Sequence, residues 1–376
     1  MAVKLGNGNW AVKEDKLLAY NDNSGRFFNK EFDFDRGSIA TYVAKDGLIK
    51  SAASDVPRID FSDSTKGALL LEPQSTNLLP YSEDFSHNTW TDIDVSLESG
   101  YLAPDGTNNA YKVTSTSTSS HLYAAGDYAQ IRHKSIYART LSGTGTISLC
   151  NRNSDPNSLF TITEQWQRFD ISHSDTNLFY AVDFRAAAAT LSEVIIWGGQ
   201  LEQGSYATSY IPSLSGSATT RSADACNNSG SAQDFNSEEG VLYAEIKTLS
   251  QTGTFRQINL SNGTASSRIY ISKRADSGTL EFRMENALGS LNFGFNVDTT
   301  SNFVKVAFRY GVNNFAVFIN GVSKNVSPTG NTFSSGTLNN LEFSSPLNQP
   351  FFGNVKNLQV FTTALTDEQL AALTTI

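Results

Sequence analysis

The sequence alternates. In TLEFRME (279–285), Leu280, Phe282 and Met284 fall on one side and Glu281, Arg283 and Glu285 on the other. In VKVAFRY (304–310), Val304, Val306, Phe308 and Tyr310 share a face. Only an extended strand places every second side chain on the same side, and a strand so patterned buries one face and wets the other. FAVFINGV (315–322) carries Asn320-Gly321, a pair suited to the positive φ angles of a tight hairpin turn. SIYAR (135–139), TGTISLC (144–150), QRFDIS (167–172), FYAVDF (179–184) and SEVIIWGGQL (192–201) are further strands, separated by Gly, Asn, Asp and Ser clusters. The helical exception is the terminal TDEQLAALTT, where Thr366 and Gln369 stand at capping-box spacing ahead of Leu370 and Leu373. The expected class is all-β: an N-terminal region followed by two β-sandwich (jelly-roll) domains and a short C-terminal helix.

Length and composition agree. The 376 residues can bury a sizeable core, and an aromatic content of 11 % argues against disorder. Within an N-terminal region of 1–79, residues 1–66 hold scattered aromatics (Trp10, Tyr20, Phe27, Phe28, Phe32, Phe34, Tyr42) but too few aliphatics for a large core of their own. They are expected to lean on the next domain or on another copy of the chain. Residues 80–212 form the first sandwich. SLSGSATTRSAD (213–224) is small and polar, so 213–234 is expected to be a linker. Residues 235–376 form the second sandwich. Ser-rich TSTSTSS (114–120) reads as an exposed edge strand, and Ala186–Ala189 as a loop.

The charge excludes some partners. The chain carries −9, and residues 81–225 hold 8 basic and 15 acidic groups. Without a basic segment, nucleic acid is not expected as a partner. No apolar window of membrane-spanning length occurs, and MAVKLGNGNW lacks a secretory core, so the chain is expected to be made in a cytoplasm, with no membrane insertion. Cys150 and Cys226, far apart, are expected to be free thiols. His87, His121, His133 and His173 show no metal-ligand spacing, so no metal or other cofactor is expected. The sharpest catalytic hint is Glu31-Phe32-Asp33-Phe34-Asp35, whose carboxylates alternate along a strand as in some jelly-roll glycosidases. It lies far from the jelly roll it would serve, and no catalytic residue is assigned. Sugar sites stack an aromatic ring on a pyranose. Trp90, Tyr101, Tyr123, Tyr128 and Trp197 in the first sandwich are available, with Trp197 expected in the core. Tyr270 and Tyr310 are available in the second.

One segment is definite in pattern and empty of chemistry: GALLLEPQSTNLLPYSEDFS (67–86). Leu69–Leu71 reads as a buried strand whose pairing Pro73 ends, making the segment a joint. Together with Asp33, Phe34, Arg36, Ser38, Ala40–Val43, Gly47–Ile49 and Pro57–Asp60, it resembles the front of a family of bacteriophage structural proteins. Ser75 stands where many relatives have Arg. Trp197, Gly198, Gln200, Leu201, Glu202, Gly204 and Ala207–Pro212, continued by TTRSAD (219–224), resemble the close of a carbohydrate-binding-like sandwich found in the same family. The third segment resembles a concanavalin-type jelly roll of the laminin-G kind.

The resemblance implies a non-enzymatic virion appendage of tail-fibre or receptor-binding type. Its N-terminal region would mount on other virion proteins, its sandwiches would face host polysaccharide, and the chain would form a homo-oligomer, a trimer for choice. A head fibre or capsid decoration protein is the alternative in the same class. A polysaccharide-cleaving glycosidase is the alternative outside it.

Overall fold

The computed structural model describes residues 2–7, 10–13, 16–21, 26–126, 132–151, 159–173, 178–204, 206–249, 255–275 and 277–376. Strands dominate, and the one α-helix among the described residues is Asp367–Thr374. The chain divides into two compact units that interleave in sequence. One comprises Met1–Ser38, Ala52–Pro73 and Ala223–Ile376; the other comprises Ile39–Ser51 and Gln74–Ser222.

The first unit stacks two sheets. One contains strands Glu239–Thr248, Val304–Gly311, Phe315–Ile319, Val322–Ser327 and Gly353–Phe361; the other runs Gly289–Asn296, Thr279–Asn286, Arg268–Lys273, Arg256–Ser261, Asn340–Glu342. The alternation works as the sequence predicts: Leu280, Phe282 and Met284 pack with Val304, Val306, Phe308 and Tyr310 in one core. Asn320 (φ 51°) and Gly321 (φ 78°) form the two-residue turn between Ile319 and Val322, which are paired. The N-terminal residues form no separate region. Strand Ala2–Asn7 pairs with Gly353–Phe361, and Trp10 and Leu17 are buried in the same core. The thin aliphatic content of the N-terminus is met by the larger sheet it extends. Strand Ala68–Leu71 pairs with the neighbouring stretch of Gly353–Phe361, so the Leu-rich joint is also a sheet strand.

The second unit is a sandwich of two five-stranded sheets. One runs Trp90–Ile93, His121–Ala125, Leu178–Asp183, Gly145–Asn151, Leu159–Ile162; the other runs Val95–Tyr101, Ala110–Ser115, Glu193–Gln203, Arg132–Arg139, Gln167–His173. Leu122, Ile136, Ile147, Phe179, Val194 and Ile196 meet between them.

Two expectations need correction. Residues 213–234 are not a linker: Thr219–Arg221 pairs with Ser75–Asn77, and Ala225–Asn227 pairs with Asp33–Asp35. Small polar residues suit a linker, but they also suit short paired strands whose side chains are enclosed, as Arg221, Asp224 and Cys226 are. Likewise TSTSTSS is no edge strand. Ala110–Ser115 lies between two partners, and residues 116–120 turn, with Ser120 Oγ accepting from the Thr116 and Ser117 amides. Both cysteines are free and buried.

Candidate carbohydrate-binding face

The motif residues gather into buried polar networks. In the first unit Asp224 accepts from Arg36 Nη1 (3.1 Å) and Arg58 Nη2 (2.5 Å), and Arg58 Nη1 reaches Glu72 Oε2 (2.8 Å). These four side chains are essentially sealed from solvent. Arg36 also donates to the Ser38 and Ala53 carbonyls, and the Glu72 amide donates to Asp224. Arg36, Glu72 and Asp224 each stand within two residues of a point where the chain passes from one unit's sequence to the other's. Burial of unpaired charge is costly; here the charges satisfy one another and hold the chain ends of the segments together.

The second unit has its own network. Asn77 fills all four of its hydrogen-bonding positions: Nδ2 donates to the Gly199 and Ile211 carbonyls, and Oδ1 accepts from the Leu79 and Leu201 amides. Glu202 accepts from Ser75 and Thr208, and Gln200 Oε1 from the Ile211 amide. Trp197 is core, its indole donating to Asn109 Oδ1 (2.8 Å). These buried motif residues are therefore structural, and the aromatic groups open on one side of a sheet are a different set.

They lie on the outer face of the sheet that carries His121–Ala125 and Leu178–Asp183. Leu122, Ala124, Phe179, Ala181 and Val182 point into the sandwich. Leu122 pairs with Val182 but Tyr123 pairs with Tyr180, so Ala181 is an extra residue, a β-bulge. On the next strand Leu149 pairs with Val182 and Asn151 with Tyr180, and Cys150 between them takes φ 55°. The two irregularities match, and they bring Tyr180 level with Tyr123 on the outward side. The Tyr123 and Tyr180 rings are 5.2 Å apart and 24° from parallel; His121 stands 5.6 Å from Tyr123 and 5.4 Å from Tyr180. Tyr180 is buried, while Tyr123 and His121 are half-buried and supply the accessible ring surface.

The rings are polar at their edges. Arg185 lies 5.1 Å from the Tyr180 ring centre, a cation–π contact. Its guanidinium is held by both oxygens of the buried Asp183, at 2.8 and 2.6 Å. Burial pushes the Tyr180 phenol up, with Arg185 partly opposing, so it stays protonated at neutral pH. His121 Nδ1 sits 2.7 Å from the Ser119 carbonyl, which can only accept; Nδ1 therefore carries the proton. In the neutral ring Nε2 is then an acceptor. The cluster sets partly exposed aromatic rings beside fixed donors and acceptors.

The other candidates are placed differently. Trp90 is buried, its indole bonded to the Tyr81 carbonyl, and Tyr270 and Tyr310 are buried in the first unit. Tyr101 lies under Lys112 Nζ at 5.6 Å. Tyr128 lies outside the described residues, as do the side chains of His173 and Glu31. Asp33 and Asp35 are exposed on a short strand, and Asp33 accepts from Asn228 Nδ2 (3.0 Å). His87 stacks on Tyr81 at 3.5 Å, and His133 Nε2 meets Asp170 at 2.9 Å. Among the described residues no group of three or more His, Cys, Asp or Glu is arranged to hold a metal ion. Of the aromatics singled out from sequence, Tyr123 alone belongs to the outward cluster. Tyr180 is hidden in the sequence because the bulge at Ala181 shifts the alternation of its strand, and Arg185 because it lies beyond that strand's end.

No protein-family model matches the chain, and no curated protein does. Solved structures do. The carbohydrate-binding module (CBM40) of the Ruminococcus gnavus IT-sialidase, bound to α2,3-sialyllactose, is 20 % identical, with a TM-score of 0.33 over 39 % of this chain and 93 % of that one. Domain 4 of AbnA, an extracellular GH43 arabinanase from Geobacillus stearothermophilus, in complex with arabinotriose, is 16 % identical, with a TM-score of 0.34 over 40 % and 73 %. Domains LG4-5 of the mouse laminin α1 chain are 11 % identical, with a TM-score of 0.27 over 73 % and 96 %.

Proposed function

We propose that this chain is a glycan-binding, non-enzymatic appendage of a bacteriophage virion, engaging host-surface polysaccharide through the Tyr123 face. The observation that carries the binding reading is the outward Tyr123–Tyr180–His121 cluster with its Arg185–Asp183 border. The virion assignment is supported by the resemblance of residues 31–86 and 197–224 to phage structural proteins. The reading as a binder is supported by the roles of the carboxylates: Asp224 and Glu72 are consumed in ion pairs, and Asp33 accepts from Asn228. Single shallow sugar sites bind weakly, and several copies on one particle raise avidity roughly 10²- to 10⁴-fold. A homo-oligomer, with a trimer favoured, would serve this purpose.

The test uses purified full-length chain on cells of a susceptible host. Adhesion should be competed by soluble host polysaccharide, whose chain length should stay unchanged on incubation. Antibody labelling of virions then distinguishes tail from head. Release of oligosaccharide would replace the binder by a glycosidase; label on the head without adhesion would replace it by a decoration protein.

A further inference from the structure

The first unit has a groove unrelated to the Tyr123 face. Its floor is the outward side of the sheet that contains Glu239–Thr248, Val304–Gly311 and Gly353–Phe361. The helix Asp367–Thr374 covers one part of this side, with Leu370 packed among Val241, Tyr243, Ala307, Ala316 and Phe318. The helix is fixed at both ends. Arg309 Nη1 bonds the Leu365 carbonyl and Asp367, and Lys305 Nζ bonds the Thr375 carbonyl (2.7 Å). Beyond the helix the side stays open, and a cleft of about 640 Å³ remains between Leu373 and the turn carrying Ser64 and Lys66. That is ample for a short oligosaccharide.

The floor is polar and pre-arranged. Gln359 Nε2 donates to Asn357 Oδ1 (3.1 Å), which fixes both amides and leaves Gln359 Oε1 and Asn357 Nδ2 to the cleft. Burial holds the Tyr243 phenol protonated. Glu245 pairs in register with Lys305 on one side and Asn357 on the other. The next register pair is Ile246 with Val355, so Lys356 is the extra residue of a β-bulge. The bulge brings Lys356 to the lining, and its ammonium is held 3.7 Å from the centre of the Phe303 ring.

Charge decides the ligand class. Lys247 is committed to Asp63 (2.8 Å). Among the described residues, Lys66, Lys305 and Lys356 have no carboxylate within ion-pair distance, although all three line the cleft, against the single carboxylate of Glu245. We infer that this groove is a second saccharide site, selective for a carboxylate-bearing glycan: Lys66 and Lys356 meet the sugar carboxylate, and Glu245, Asn357 and Gln359 take its hydroxyls. The inference does not rest on the Tyr123 face.

The test measures binding of full-length chain to a short oligogalacturonate and to maltotetraose, its uncharged counterpart. Oligogalacturonate should bind more tightly, and its affinity should fall between about 50 mM and about 500 mM NaCl, as screening of charge requires. The combined substitution Lys66→Ala and Lys356→Ala should weaken it about tenfold or more, each charged hydrogen bond being worth well over a neutral one. Both sugars are titrated into the Tyr123→Ala background, which removes the stacking ring of the other face; there the preference for oligogalacturonate and its loss with Lys66→Ala and Lys356→Ala should persist, so failure of the face and failure of the groove are distinguishable. In the unaltered chain, oligogalacturonate should protect Lys66 and Lys356 from acetylation, read by mass spectrometry. Equal binding of maltotetraose, indifference to salt, or unprotected lysines would each overturn the inference.

Discussion

Asp224 shows how a single side chain can hold a fold together. It serves two guanidinium groups at once, and Arg58 is shared onward with Glu72. Replacing one member of such a buried set leaves opposite charge without compensation, a loss of about 3–5 kcal/mol. Asp224→Asn should therefore lower chemical-denaturation stability by about that amount, while substitution of the exposed Asp92 should be nearly silent. A stability within about 1 kcal/mol of the unaltered chain would show that the network is not structural. The residues of this set were legible in the sequence as a pattern, Arg36, Pro57-Arg58, Glu72-Pro73 and Asp224, but their partnership was not. They lie as far as 188 positions apart, and no local rule pairs an arginine with one distant carboxylate among 37 acidic residues.

At the scale of elements, the local signals were the faithful ones. The Asn320-Gly321 turn and the Thr366–Gln369 capping box both form where the residues place them, because each satisfies its own backbone within a few positions. The differences fall where a segment's fate depends on distant partners: Thr219–Arg221 of Ser- and Thr-rich 213–224 is a paired strand, and the Tyr123 face needs the bulge at Ala181 matched by the positive φ of Cys150. The turn at Asp84 gives a pH test. Its carboxylate accepts from the Ser86 hydroxyl (2.6 Å), the Ser86 amide (3.1 Å) and the Tyr111 phenol (2.9 Å). The Ser86 hydroxyl first, then Tyr111 and the amide, hold it below the ordinary 3.8, against the opposing effect of burial. A lowered carboxylate contributes stability above its unfolded value and loses it as pH falls through the folded one. Asp84→Asn should melt below the unaltered chain at pH 7, and the gap should narrow as pH falls below 3.8 and through the lower folded value. A gap constant across that range would remove the carboxylate from the account.

The whole molecule is two β units threaded by one chain that passes between their sequences four times. Alternation and turn chemistry made the all-β class legible, since each strand reports its own buried face. The order of segments along the chain was misleading because the N-terminal strands complete the sheet of the C-terminal jelly roll, a pairing of residues 2–7 with 357–361 that only tertiary structure can reveal. Function follows the same division. Arg36, Arg58, Glu72, Asn77, Gln200 and Glu202 of the motifs are buried in polar networks, whereas the cluster proposed to face a ligand belongs to no motif. On the proposed reading, sugar binding falls to Tyr123 and its neighbours. It is tested most directly by calorimetric titration of host-surface oligosaccharide into full-length chain and into its Tyr123→Ala variant. Loss of one stacking ring should cost about 1–1.5 kcal/mol, a weakening of about tenfold, with the thermal stability of the variant largely retained. Equal affinity in the two proteins would contradict the account.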